Sequence, residues 1–474
     1  MRCRTLVAAT TFGLSIIVLG CAGAFAGGST GTRELFVAPS GDDGGPGTFD
    51  APWATINHAA DEARAGDTVT IRGGLYSLKD QVRVRNSGRV DAWITFRGSP
   101  GEPVIVDANA VLPASPDNGA VQIEGVSYIR ISRLTVVNSH NAGFTIRDSS
   151  NIDIINNSTK GTFSSGINVW DTNHDDHGTE HIRILGNTIS RATTRELAPV
   201  GASWTPHEAL SIGGAVDFEV AYNHVYDSDK EGIDIKETSK RGKVHHNLIH
   251  NLPLQCLYID AWFGSLEKID VYSNVIHNCH GAGLVISVEQ GKSVENINIH
   301  HNMIFNNDGS GLLFSKWGAD SPRRDIRVID NVFYHNGYGA PAPGQKLYWI
   351  TGGIYLYTAS LRDVLIQNNV FSENKGFQIG YSELLLHGGR SWEQASRDQM
   401  IRITGNHFDR PDSTDAPIRS GGMSVDQVLI YATNGEMPRF GDPMFKDPST
   451  QDFSTRDNAS DLWWKSNFPP DIAQ

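Results

Sequence analysis

Two apolar residues at i and i+2, an Asn at i+5 and a further apolar residue at i+7 recur as seven full copies along the chain. They are Ile182-Ile184-Asn187-Ile189, Phe218-Val220-Asn223-Val225, Ile269-Val271-Asn274-Ile276, Ile297-Ile299-Asn302-Ile304, Ile326-Val328-Asn331-Phe333, Val364-Ile366-Asn369-Phe371 and Ile401-Ile403-Asn406-Phe408. Partial copies sit at Asn157 and Asn247. Recurrence every two to three dozen residues marks a solenoid, in which each repeat is one supersecondary unit stacked on the next. Period-two apolar patterning in pieces this short specifies strands, not helices. Each coil then has room for three short strands joined by turns. Asn suits the bend, because it tolerates left-handed backbone and bonds its own main chain. Stacking would also let equivalent Asn side chains bond in a ladder. The expected fold class is all-β, a right-handed parallel β-helix (β-solenoid) with a short N-terminal capping helix. A β-sandwich would need hairpin signals such as Asn-Gly between strands, and these are scarce.

The ends read differently from the middle. Arg2 and Arg4, an apolar stretch from Leu6 to Leu19 and the small residues up to Ala26 form an export-signal pattern. That stretch is too short to span a bilayer as a helix. Val18-Leu19-Gly20-Cys21 also fits a bacterial lipobox, so the expectations are a secreted or periplasmic protein, or one lipid-anchored through Cys21. Residues 34–107 are expected to form a cap and first coils. Trp53, Ile56, Ala60 and Ala63 put an apolar stripe on one short helix that can plug the open solenoid end. Residues 108–410 carry the helix, and 411–474 a closing segment and tail. Cys256 and Cys279 lie about one coil apart, as a disulfide or as two buried thiols.

The formal charge of -13 argues against a nucleic-acid partner, which requires a basic face. Four stretches interrupt the repeat, at 170–181, 190–207, 337–352 and 386–399, and insertions in solenoids gather on one face, often the binding face. The strands before the Asn-bearing ones show what that face carries. In Ile167-Asn-Val-Trp170, Leu210-Ser-Ile-Gly213, Ile233-Asp-Ile-Lys236 and Leu257-Tyr-Ile-Asp260 the first and third residues are apolar. The second and fourth must therefore point outward. The outward rows thus gather Asp234, Lys236, Glu237, Tyr258 and Asp260, with Glu208, Trp262, Trp170, Arg147 and Glu289 along the same face. On the strand lattice Lys236 and Asp260 should come close to an ion pair, and Asp234 and Asp260 should stand roughly 8 Å apart. A carboxylate pair at about 6.5–9.5 Å leaves room for the water of an inverting glycosidase, and Glu237 at the strand end leaves a closer retaining pair open. His245, His246, His250, His277, His300 and His301 flank the Asn positions and read as turn residues. His207, next to Glu208, reads as a substrate contact.

Leu35-Phe-Val-Ala-Pro-Ser-Gly41, Pro52-Trp53-Ala-Thr-Ile56, Ala65-Gly-Asp-Thr-Val-Thr-Ile-Arg-Gly73 and Phe440-Gly-Asp-Pro-Met-Phe445 resemble the opening and closing segments of the pectate-lyase-like right-handed parallel β-helix superfamily of secreted carbohydrate-active enzymes. Within it, His207-Glu208 followed by acids one and two coils later resembles the parallel β-helix β-xylosidases. That resemblance implies Asp234 or Glu237 as nucleophile or base and Asp260 as proton donor, with Asp at a position where that family uses Glu. It also implies substrate contacts from His207, Glu208 and Trp262. Asp229-Lys-Glu231-Gly-Ile-Asp234-Ile-Lys236 is similar instead to the calcium-dependent polysaccharide lyases. This implies Ca²⁺ on Asp229, Glu231 and Asp234, with Lys236 as the base that abstracts a uronate proton. The expected function is a glycoside hydrolase without cofactor acting on a poly- or oligosaccharide, with the lyase or a non-catalytic glycan-binding β-helix as the alternatives.

Overall fold

The computed structural model describes residues 32–112, 118–174, 178–202, 205–318, 320–339, 351–409, 439–443, 445–450 and 452–455. The export signal, the lipobox at Cys21, part of the 337–352 insertion and most of the C-terminal tail lie outside them. Among the described residues, three long parallel sheets of 13, 11 and 13 strands run the length of the molecule. One coil passes from Ile233–Lys236 in the 11-stranded sheet to Lys240–His245 and Leu248–His250 in the other two, and re-enters the first sheet at Leu257–Ala261. This is the parallel β-helix expected from the repeat. Phe218, Val220, Ile269, Val271, Ile297 and Ile299 all point into the solenoid and are buried, at about 1.5–3 kcal/mol of hydrophobic stabilisation for each large apolar side chain.

The Asn residues form a continuous ladder from Asn157 to Asn406. In a typical rung, Asn247 Nδ2 donates to the Val220 carbonyl and to Asn274 Oδ1, both at 2.9 Å. The bend itself differs from expectation. The residue before each ladder Asn takes the left-handed backbone, as in Gly186, Tyr222, His246, Ser273 and His301. The Asn stays in the right-handed half of backbone space, so its amide is free to bridge coils. His246 and His301 are thus turn residues as read. By contrast, His245 and His300 end strands and stack on Tyr272.

At the N-terminus a helix over Ile56–Glu62, capped by Thr55, buries Ile56, Ala59 and Ala60, the plug the stripe predicted. At the other end the 386–399 insertion folds against the last coil. It forms a helix, Trp392–Asp398, whose buried Trp392 stacks on Tyr381 in the last strand of the 11-stranded sheet. Phe445 and Phe453 pack outside the third sheet against Tyr334. Cys256 and Cys279 are joined in a disulfide between adjacent coils.

Candidate functional site

Parallel pairing fixes the site's lattice. Ser211 pairs with Asp234 and Gly213 with Lys236. On the next strand Asp234 pairs with Tyr258, and Lys236 with Asp260. Asp234 and Asp260 therefore stand one strand and two residues apart, as the sequence implied.

Two expectations fail. The outward rows are not an exposed surface at the acids: Asp234 is 2% exposed and Asp260 4%. Lys236 also does not pair with its register partner Asp260. Its ammonium lies 2.7 Å from Glu208 Oε2 and 3.5 Å from Asp234 Oδ2. The reason is reach, since Glu208 enters from the insertion before its own strand; its Oε2 also accepts from the Ser211 hydroxyl, and its Oε1 is met by Lys230 at 3.3 Å.

Charge partitioning follows from this packing. Burial opposes ionisation of Glu208, but Lys236, Lys230 and His207 outweigh it and hold the carboxyl far below its ordinary range. Burial also opposes the Lys236 charge, yet Glu208 and Asp234 keep it firmly an ammonium. Asp234 is pushed well above the carboxylate range by burial and by the charge of Glu208. Asp260 is pushed up by burial and by Glu289, which also accepts a hydrogen bond from the Tyr258 hydroxyl. The ionised Glu208, the Lys236 and Lys230 side chains that hold it, and the carboxyl groups of Asp234, Asp260 and Glu231 driven toward the protonated form therefore share a buried site.

The remaining expected residues are dispersed. Arg147 stays in the outward row but is bound to Glu124, with Trp170 5.8 Å from its guanidinium. Trp262 is half-buried in the turn after Asp260. Glu237 turns away from the acids and accepts a hydrogen bond from His174 Nδ1 at 2.8 Å. The His174 ring stacks on Phe263 at 3.8 Å, and a Cβ at Gly213 would come within 3.0 Å of the Glu237 carboxyl. His174 was missed because it lies in an insertion without a repeat register. Arg323 was missed too, although its signal was available. It occupies a core row between Val294 and Leu361, where its guanidinium, pushed down to about 10 by burial, donates to the carbonyls of Ser315 and Ser321.

The proposed calcium ligands do not fit the ion. Asp229 is exposed while Asp234 is buried, and the Lys230 ammonium stands 3.9 Å from Glu231. Among the described residues, no group of three or more His, Cys, Asp or Glu converges as a metal site requires.

The fold and the register-built site on its outer face define a β-helix protein, and the chain belongs to that family. Residues 119–296 and 267–391 match the family described as right handed beta helix region, and residues 35–188 match Pel9A-like, right handed beta helix region. Among curated proteins, pectate lyase PEL9 of Emericella nidulans is 31% identical over 144 residues, 28% of this chain and 35% of that protein. The uncharacterized protein YwoF of Bacillus subtilis is 31% identical over 222 residues, 42% of this chain and 43% of that protein. The alignments thus span less than half the length of either relative. Among solved structures, the A-module of the Azotobacter vinelandii mannuronan C-5 epimerase AlgE4 superposes with a TM-score of 0.53 at 13% identity, covering 74% of this chain and 88% of that one. No described helix is long and apolar enough to cross a membrane.

Proposed function

We propose that the protein is a secreted or periplasmic glycoside hydrolase that cleaves a poly- or oligosaccharide with the Asp234/Asp260 pair. The observation that carries this reading is the pair of buried carboxyls held toward the protonated form beside a pinned ammonium. Glycosidic cleavage needs one carboxylic acid that keeps its proton and one carboxylate that takes a proton from water. Asp260 faces Glu289 and retains its proton as general acid. Asp234 lies 3.5 Å from the Lys236 ammonium, which stabilises its charged form, and it serves as base once it has given up its own proton. In the reaction Asp234 takes a proton from water as the water oxygen bonds to the anomeric carbon. The glycosidic C–O bond breaks, and Asp260 protonates the leaving oxygen. The lattice separation of roughly 8 Å suits inversion.

β-Elimination is the second reading, supported by the likeness to a pectate lyase. The Pel9A-like match ends at residue 188, before Glu208 and every acid of the site. The elimination would also need a neutral Lys236, whereas Glu208 keeps that side chain charged. The test is a polysaccharide panel, with and without EDTA, read for reducing ends and for absorbance near 235 nm. Reducing ends without absorbance are expected, with Asp260→Asn lowering the rate by about 10²–10⁴. Absorbance at 235 nm from the wild type would replace the hydrolase by a lyase.

A further inference from the structure

We propose that the chain bound across this site is built of neutral sugars and not of uronates, an inference that rests on the hydrolase reading only for where the chain lies. A polyuronate presents a carboxylate on every sugar and requires cations along its track. Among the described residues, the strands of the 11-stranded sheet carry three: Arg83, Arg147 and Lys236. Each is committed inside the protein, Arg83 to the Gln81 side-chain oxygen, Arg147 to Glu124 and Lys236 to Glu208. Lys230, from the bordering turn, also holds Glu208, and Arg323 faces the core and spends its N–H groups on carbonyls. Among the described residues beside the acids, Lys316 is in no ion pair. One ammonium can meet one carboxylate but not a run of them.

What the two sides of the acids offer instead is neutral. Asn168, two strands from Asp234 in the same outward row, is 1% exposed, and neither its amide oxygen nor its amide nitrogen has a hydrogen-bond partner. Ser315 stands in the row of Asp260, two strands on in the other direction, and its buried hydroxyl is also unpartnered. Asp234 Oδ1 and Asp260 Oδ1 between them are in the same condition. An unsatisfied buried polar atom costs about 1–3 kcal/mol, so a row of them is retained where a ligand completes it. An amide and a hydroxyl each donate and accept, as sugar hydroxyls do. Across these two adjacent rows, Asn168 and Ser315 lie about five strand spacings apart, on the order of 24 Å, long enough for several sugar units.

The experiment separates this inference from the hydrolase reading by measuring binding without turnover. The Asp234→Asn/Asp260→Asn protein is run in native gels containing arabinoxylan, arabinogalactan, β-glucan, polygalacturonate or alginate at physiological salt. Retardation by at least one neutral polymer and by neither polyuronate is expected, and adding Asn168→Ala should weaken retention about tenfold. If Asn168→Ala lowers the urea midpoint, the polymer panel on the double variant decides alone. Retardation by a polyuronate, or by no neutral polymer, overturns the inference. Neutral binding without reducing ends from the wild type would sink the hydrolase and leave the inference standing. Reducing ends released from polygalacturonate would do the reverse.

Discussion

Replacing Glu208 by Gln tests the charge partitioning directly. Removing one partner of a buried ion pair costs about 3–5 kcal/mol when nothing replaces the lost charge. Here a replacement stands 3.5 Å from the same ammonium: Asp234, whose raised pKa comes from burial and next from the charge of Glu208 itself. With Glu208 neutralised, Asp234 ionises and takes over Lys236, so the expected loss falls below that range, at about 2 kcal/mol. Asp234→Asn exchanges a protonated carboxyl for an amide of the same shape and should cost less than about 1 kcal/mol. The double variant leaves Lys236 and Lys230 without either acid and should lose about 4–5 kcal/mol. That exceeds the sum of the single losses by more than about 1 kcal/mol, a coupling expected of residues in contact. Urea unfolding of the four proteins at pH 7, fitted for midpoint and slope, reads the cycle. An Asp234→Asn cost equal to that of Glu208→Gln, or additivity within about 0.5 kcal/mol, would refute the partitioning.

The same groups set the pH response. The native proton on Asp260 adds stability that is fully present below the unfolded carboxylate pKa and is lost as pH rises through its raised native value. The Glu208 contribution runs oppositely, present above the ordinary carboxylate range and lost as pH falls through its depressed value. Reducing-end release should accordingly rise as Asp234 loses its proton and fall as pH climbs through the raised Asp260 value. Asp260→Asn should lower the rate by about 10²–10⁴ and remove that limb from what remains. Asn302→Ala should cost roughly 3 kcal/mol or more in urea unfolding, because it strands the Val271 carbonyl and the Asn274 amide groups in the core. Replacing both Cys256 and Cys279 by Ala should cost about 2–4 kcal/mol, read as a lowered unfolding midpoint with unchanged far-UV circular dichroism.

The solenoid was legible because its signal is repeated. Each Ile-x-Ile and each Asn is weak evidence alone, but register multiplies it, and the pairing of Asp234 with Tyr258 and Lys236 with Asp260 follows from apolar alternation within two strands. What stayed hidden belongs to residues without a copy. Glu208 sits where an insertion rejoins the repeat, and no period predicts that it reaches past its own strand to Lys236. The side chain that, after burial, does most to raise Asp234 is thus the one whose direction the pattern did not carry. The left-handed bend was misplaced for a related reason. Asn is favoured both for turns and for ladders, and only the backbone angles of its predecessor separate the two uses.

Burial is the link between those two layers. A row of outward residues in a β-helix is ordinarily wet, and acids there would keep ordinary pKa values whatever their spacing. Register supplies only the spacing of Asp234 and Asp260. Their raised protonation comes from burial, from the charge of Glu208 beside Asp234 and from that of Glu289 beside Asp260. Two β-helices with the same acids on the same strands can therefore differ in chemistry through their insertions alone. Likeness over residues 35–188 speaks to how this chain folds, and the segments that flank Glu208 and Lys230 decide what its acids can do.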